Sequence, residues 1–130
     1  MTKIILIRHC KTKDNASGKM QGYNSDSSFT EDGLNQLKRL KKYFSKIPIK
    51  AVFCSDLRRA LKTAEAIAKS HNLKVISLKE LREADIGDWR NLPVKESINK
   101  WIKYYEKEKA KGIPRETIRP PNGENSLDHQ

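Results

Sequence analysis

An α/β fold with a mostly parallel sheet is predicted by the order in which two kinds of periodicity alternate along the chain. Three short apolar runs rich in β-branched residues, at about Lys3–Arg8, Ala51–Cys54 and Leu73–Leu78, alternate with two stretches whose apolar residues recur at helical spacing. Strand, helix, strand, helix, strand is the pattern of βαβ units, whose strands run parallel. A second observation concerns position. Arg8 and His9 directly follow the run Ile4-Ile5-Leu6-Ile7, and polar residues at the carboxyl end of a strand lie where open α/β sheets bind ligands.

The first run is continuous rather than alternating, so it predicts a strand buried on both faces. A long polar loop through Ser28 follows, and loops of that length in a compact domain usually carry function. Thr30 is placed to cap the first main helix, with Glu31 and Asp32 in the first turn, where they suit the helix dipole. Leu34, Leu37, Leu40 and Phe44 then form its core face, and Pro48 marks its end. Ala51–Cys54 predicts a second buried strand, after which Ser55 or Asp56 caps a helix with Leu57, Ala60, Leu61, Ala64, Ile67 and Ala68 on one face. His71-Asn72 closes that helix, and His71 is expected there as a polar terminal residue rather than a ligand. Leu73–Leu78 is the third strand.

Beyond it, Leu81–Asn91 is polar and contains Glu83, Gly87 and Trp89. A basic amphipathic helix is expected from about Ser97 to Lys111, with Ile98, Trp101, Ile102 and Tyr105 on one side as packing residues. Three prolines punctuate the remainder. The 130 residues predict a single domain, 1–130, in which approximately 92–122 forms a helical insertion or lid.

Lys and Arg total 27 against 16 acids, a net charge of +11, with 36% hydrophobic residues and a mean hydropathy of −0.79. Such a balance raises the question of nucleic acid. Much of the excess lies on solvated helical positions such as Lys38, Arg39, Lys41 and Lys42, and no nucleic-acid-binding motif accompanies it. The reading is therefore no nucleic-acid partner, with the positive field steering a phosphorylated small molecule instead. No leader pattern, long apolar stretch or lipidation motif is present, so no membrane partner and a cytoplasmic location are expected. Cys10 and Cys54 lack metal-ligand spacing and read as buried or pocket-edge free thiols, with no metal and no cofactor.

Arg8 and His9 leave the first strand, Arg59 lies in the first turn after the second, and Glu83 follows the third. Parallel neighbouring strands would open all of them onto one edge of the sheet. Phosphoryl transfer needs a nucleophile, cations for the equatorial oxygens and an acid for the leaving oxygen. Arginine forks grip phosphate by paired hydrogen bonds, and their charge favours a neutral, nucleophilic imidazole. Glu83 must carry a proton in order to donate it.

These segments, in this order, make the chain resemble the histidine phosphatase superfamily, the phosphoglycerate mutase-like proteins. Leu6-Ile7-Arg8-His9 with Thr12 and Asn15 matches its Arg-His-Gly signature, and Gln21-Gly22-Tyr23 its substrate-contacting loop. Thr30–Gln36, Ser55–Ala64 and Leu81–Trp89 match three further segments. The resemblance implies a three-layer sandwich with a mostly parallel sheet, C-terminally incomplete here. It implies His9 as the phosphorylated nucleophile, Glu83 as proton donor, and Arg8, Thr12, Asn15, Gln21, Gly22 and Arg59 as substrate-binding residues. Arg58 competes with Arg59. Adjacent helical residues diverge by about 100°, so one of them faces the pocket, and the motif favours Arg59. The acid segment is similar to the phosphatase branch, to α-ribazole phosphatase and broad phosphomonoesterases.

The implied activity is metal-independent hydrolysis of a small-molecule phosphomonoester. The alternatives are a mutase-type phosphotransferase and a catalytically weak phospho-ligand-binding relative. Two departures motivate the last. Cys10 stands where the family has glycine, and the family's second histidine, on a strand after the Gly123-Glu124-Asn125-Ser126 segment, has no counterpart. His129 comes too soon after that segment, and His71 precedes the acid motif. A fragment of a longer protein and a shortened relative both fit this pattern. Oligomeric state is left open, a homodimer included.

Overall fold

The computed structural model describes residues 2–23 and 27–128. His129 lies outside the described residues. In chain order the elements are α1 (Lys13–Ala16), α2 (Glu31–Phe44), β1 (Val52–Ser55), α3 (Arg58–Ala68), β2 (Val75–Leu78) and α4 (Val94–Ala110), joined by short 3₁₀ turns. They group into two compact units, one from residues 2–12 and 27–81, the other from 13–23 and 82–128.

The first unit is an α/β fold around a parallel pair. β1 pairs with β2 through the crossover helix α3, with Val52 opposite Val75 and Ser55 opposite Leu78. α2 begins where the capping chemistry predicts: Thr30 is extended, and its Oγ1 accepts the Gly33 N–H at 3.0 Å. The cap of α3 falls one residue after Asp56 and two after Ser55. Leu57 is its N-cap and has no side-chain cap bond, while the Ser55 hydroxyl accepts the Leu57 N–H at 3.2 Å and so shapes the turn into the helix. Ala64, Ile67 and Ala68 are buried from α3 and Phe44 from the end of α2. The helix α3 closes through a 3₁₀ turn at Lys69–His71 and left-handed Asn72. There His71 Nε2 is 2.9 Å from the Phe44 carbonyl oxygen, a structural bond between helix ends.

Three expectations are corrected. Lys3–Arg8 is not a buried strand: Ile4 is 80% exposed and Leu6 91%, and the sheet of the described residues contains only β1 and β2. A strand requires a neighbour to complete its hydrogen-bond ladder, and an apolar run cannot supply that by itself. β1 is buried on one face only, because Phe53 (56% exposed) and its cross-strand partner Ile76 are both open. Of the four residues expected on the α2 core face, Phe44 is buried, Leu37 and Leu40 are half-buried, and Leu34 is exposed.

Gly33 is required by close approach. A Cβ there would collide with the Lys11 carbonyl oxygen, which accepts the Thr30 N–H at 3.1 Å and ties the His9 loop to the start of α2. Gly33→Ala is expected to destabilise the chain by about 1–3 kcal/mol, the usual cost of overpacking. Urea unfolding measures this, and an unchanged midpoint would refute the collision.

In the second unit α4 begins at Val94, three residues before the expected start, because Pro93 supplies an extended N-cap and cannot itself continue a helix backwards. Ser97 is buried and its Oγ donates to the Trp89 carbonyl at 3.0 Å. Trp101 and Tyr104 place their rings edge-on to Trp89 at 5.9 and 5.6 Å. The packed face therefore runs Ser97, Trp101, Tyr104, at i, i+4, i+7, and Ile98 and Ile102 are exposed. Of the expected face, Trp101 and Tyr105 pack, their rings 5.9 Å apart, whereas Ile98 and Ile102 stay open and Ser97 makes the polar contact to Trp89. Gly87 has φ +59°, and a Cβ there would collide with the Pro121 carbonyl, which accepts the Asp88 N–H at 3.0 Å. Among the described residues no helix is long and apolar enough to cross a membrane.

Candidate active site

His9 is half-buried, and its Nδ1 lies 2.8 Å from the carbonyl oxygen of Cys10. A carbonyl only accepts, so Nδ1 carries the proton and donates it. In the neutral ring, Nε2 is then left with its lone pair available. Burial, followed by the positive charges of Arg59 and Arg8, holds the imidazole below its ordinary value of 6.5; the bond to the Cys10 carbonyl opposes them. The result is a histidine that favours its neutral form and keeps the Nε2 lone pair unprotonated.

Arg59 is only 8% exposed, whereas Arg58 is exposed, the divergence expected of adjacent helical residues. The link between Arg59 and His9 is a residue to which sequence reasoning assigned no role. Thr63, one turn along α3, donates its hydroxyl proton to the Arg59 carbonyl at 2.8 Å. The Thr63 Oγ1 in turn accepts the buried Cys10 N–H at 3.1 Å. One hydroxyl thus registers the histidine loop against the arginine turn. The recurrence of Thr63-Ala64 in the matched motif was the available signal. Thr63→Val preserves shape but leaves the Cys10 N–H without that acceptor. It is expected to cost about 1–3 kcal/mol of stability, read by denaturant unfolding, and a neutral result would remove Thr63 from this role.

The Cys10 side chain is buried, and its backbone is not in the left-handed region. The position therefore does not need the glycine that the resemblance implies. Burial pushes the Cys10 thiol up, so it stays neutral. An open groove of about 360 Å³ runs beside Arg8 and His9, with Gln36, Arg39 and Leu40 of α2 on its other side. Thr12 has no accessible surface and forms an isolated antiparallel bridge with Phe29.

Arg8, His9, Thr12 and Arg59 belong to the first unit, and Asn15, Gln21, Gly22 and Glu83 to the second. Within the second, Asn15 Nδ2 donates to Gln21 Oε1 at 3.1 Å, and Gly22 is buried. The Glu83 side chain is exposed, but the segment carrying it is firmly held. Arg90 forks Asp85 through Nε and Nη2 at 2.7 and 2.8 Å. Tyr23 donates to Glu124 Oε2 at 2.5 Å. Tyr23, Asp85, Arg90 and Glu124 had no assigned roles in the sequence. Among the described residues, no group of three or more His, Cys, Asp or Glu side chains is placed to hold a metal ion.

The first unit thus combines a parallel α/β core with a half-buried histidine just before α1 and a buried arginine in the first turn of α3. The model of the histidine phosphatase superfamily (branch 1) matches residues 4–130, and the chain belongs to that family. It is 35% identical over 101 residues to phosphoserine phosphatase 1 of Hydrogenobacter thermophilus, covering 78% of this chain and 47% of that one. It is 35% identical over 128 residues to phosphoglycerate mutase-like protein 4 of Arabidopsis thaliana, covering 97% and 54%. The crystal structure of a putative α-ribazole-5′-P phosphatase from Escherichia coli superposes with a TM-score of 0.75 at 26% identity, over 95% of this chain and 59% of that one. The chain spans about half the length of the curated relatives it matches.

Proposed function

We propose that this chain carries the phosphorylation chemistry of a metal-independent phosphatase acting on a small-molecule phosphomonoester. The observation that carries the reading is the Nδ1-protonated His9, with Nε2 free and the Arg59 charge beside the ring. In the first step Nε2 attacks phosphorus, the ester P–O bond breaks, and Glu83 gives its proton to the departing alkoxide. In the second, Glu83 takes a proton from water as the water attacks phosphorus, and the P–N bond breaks to release phosphate and neutral His9. Arg8 and Arg59 balance the equatorial oxygens. Asn15, Gln21 and Gly22 supply polar contacts to the substrate. Thr12, with no accessible surface, supports the loop from within rather than reaching the phosphate. Related proteins named phosphoserine phosphatase and α-ribazole-5′-P phosphatase support a phosphomonoester as substrate class.

Phosphohistidine survives alkali and hydrolyses in acid, so mixing the chain with a ³²P-labelled phosphomonoester and quenching in base should trap label on His9. Turnover with no label, or with label elsewhere, would sink the mechanism.

A further inference from the structure

Glu83 is exposed, yet the backbone on either side of it is fixed, and the fixing runs through a residue far along the chain. A single carboxylate oxygen, Glu124 Oε2, accepts both the Tyr23 hydroxyl at 2.5 Å and the Asp85 N–H at 3.0 Å. The Glu124 N–H returns a bond to the Asp85 carbonyl at 2.9 Å, closing a ring between the two residues. The Asp85 carboxylate takes the Arg90 fork and the Gly87 N–H at 2.9 Å. The Arg90 side chain lies so close over Gly22 that a Cβ there would strike it. On the other flank of Glu83, the Arg82 guanidinium sits 5.0 Å from the centre of the Tyr23 ring, within cation–π range.

We infer that Glu124 is a positioning residue, which locks the Gln21-Gly22-Tyr23 loop to the Arg82–Asp85 segment and so sets where Glu83 delivers its proton. The inference rests on the proposed role of Glu83. Charge supports the lock: bonds from donors to an ionised carboxylate are about twice as strong as neutral ones. The Tyr23 phenol is pushed up by burial and then by its bond to Glu124, so it remains a donor throughout the working pH range. An acid that needs a fixed geometry is better held through its backbone neighbours than through its own oxygens, which must stay free for the leaving group.

Leaving-group dependence tests this in the full chain. p-Nitrophenolate leaves as a stabilised anion and needs little acid assistance, whereas an alkoxide needs a proton. Glu124→Ala is expected to lower kcat/KM for glycerol phosphate by about 100-fold, but for p-nitrophenyl phosphate by less than about threefold. Amide exchange should rise together in residues 19–23 and 82–90, and stay unchanged in α3. Glu124→Gln, whose amide oxygen can accept both bonds, should restore most of the loss. Tyr23→Phe, a milder variant that keeps the ring, should give a smaller loss of the same leaving-group pattern.

Equal losses on both substrates, or unchanged exchange in either segment, would overturn the lock, as would a Gln variant no better than Ala. A wild-type chain with neither turnover nor phosphohistidine fails the phosphatase reading instead. The exchange experiment then decides the lock alone.

Discussion

His9→Ala should abolish both the alkali-stable label and turnover, lowering kcat by about 10⁴-fold or more, the scale of losing a covalent nucleophile. The fold should survive, because the imidazole's hydrogen bond runs to the carbonyl of the next residue and ties no distant segment. Circular dichroism and denaturant midpoint check that the loss is chemical. The wild-type pH profile carries a further expectation. The ring must be neutral to attack, and its pKa in the fold lies below the ordinary 6.5. The rate is therefore full at neutral pH and falls only as pH drops through that lowered value. An acid limb centred above 6.5 would contradict burial and the two arginines as the controlling groups.

Arg59→Met should lower kcat/KM by about 10³-fold, since it removes a preorganised cation from the phosphoryl oxygens. Methionine keeps the volume of a side chain that is 8% exposed, so the change isolates charge from packing. The same variant should move the acid limb of the pH profile upward toward 6.5. The Arg59 charge disfavours imidazolium, so without it the ring protonates at higher pH. Arg58→Met serves as the comparison: that side chain is exposed, and its loss should stay within about threefold. A static acid limb, or an Arg58 effect as large as that of Arg59, would refute the assignment.

Local rules made much of the first unit legible. Thr30 capping and the helical spacing of Ala64, Ile67 and Ala68 depend on near neighbours and are in place, and the apolar runs at Val52–Cys54 and Val75–Leu78 are strands because each completes the other's ladder. The preference for Arg59 over Arg58 needed only the turn of a helix and a motif. The Lys3–Arg8 strand was misread because strand formation depends on another segment. On α4 the aromatic half of the expected face, Trp101 and Tyr105, packs, while its two isoleucines are open because Ser97 and Tyr104 share the contact with Trp89.

The chemistry of the opening motif was present in residue types alone. An imidazole next to a fixed cation, followed at intervals by an arginine and a carboxyl, supplies the kinds of group that phosphoryl transfer needs. The amino-acid order by itself therefore determined the helices, the parallel βαβ core, the family and the candidate nucleophile. The tautomer of His9, its register against Arg59 and the pinning of the Glu83 segment were decided only by tertiary structure. The first depends on a carbonyl's orientation. The other two depend on bonds between residues far apart, Cys10 to Thr63 across 53 positions and Tyr23 to Glu124 across 101. No local pattern encodes such a bond, because its two ends meet only after the chain between them has folded.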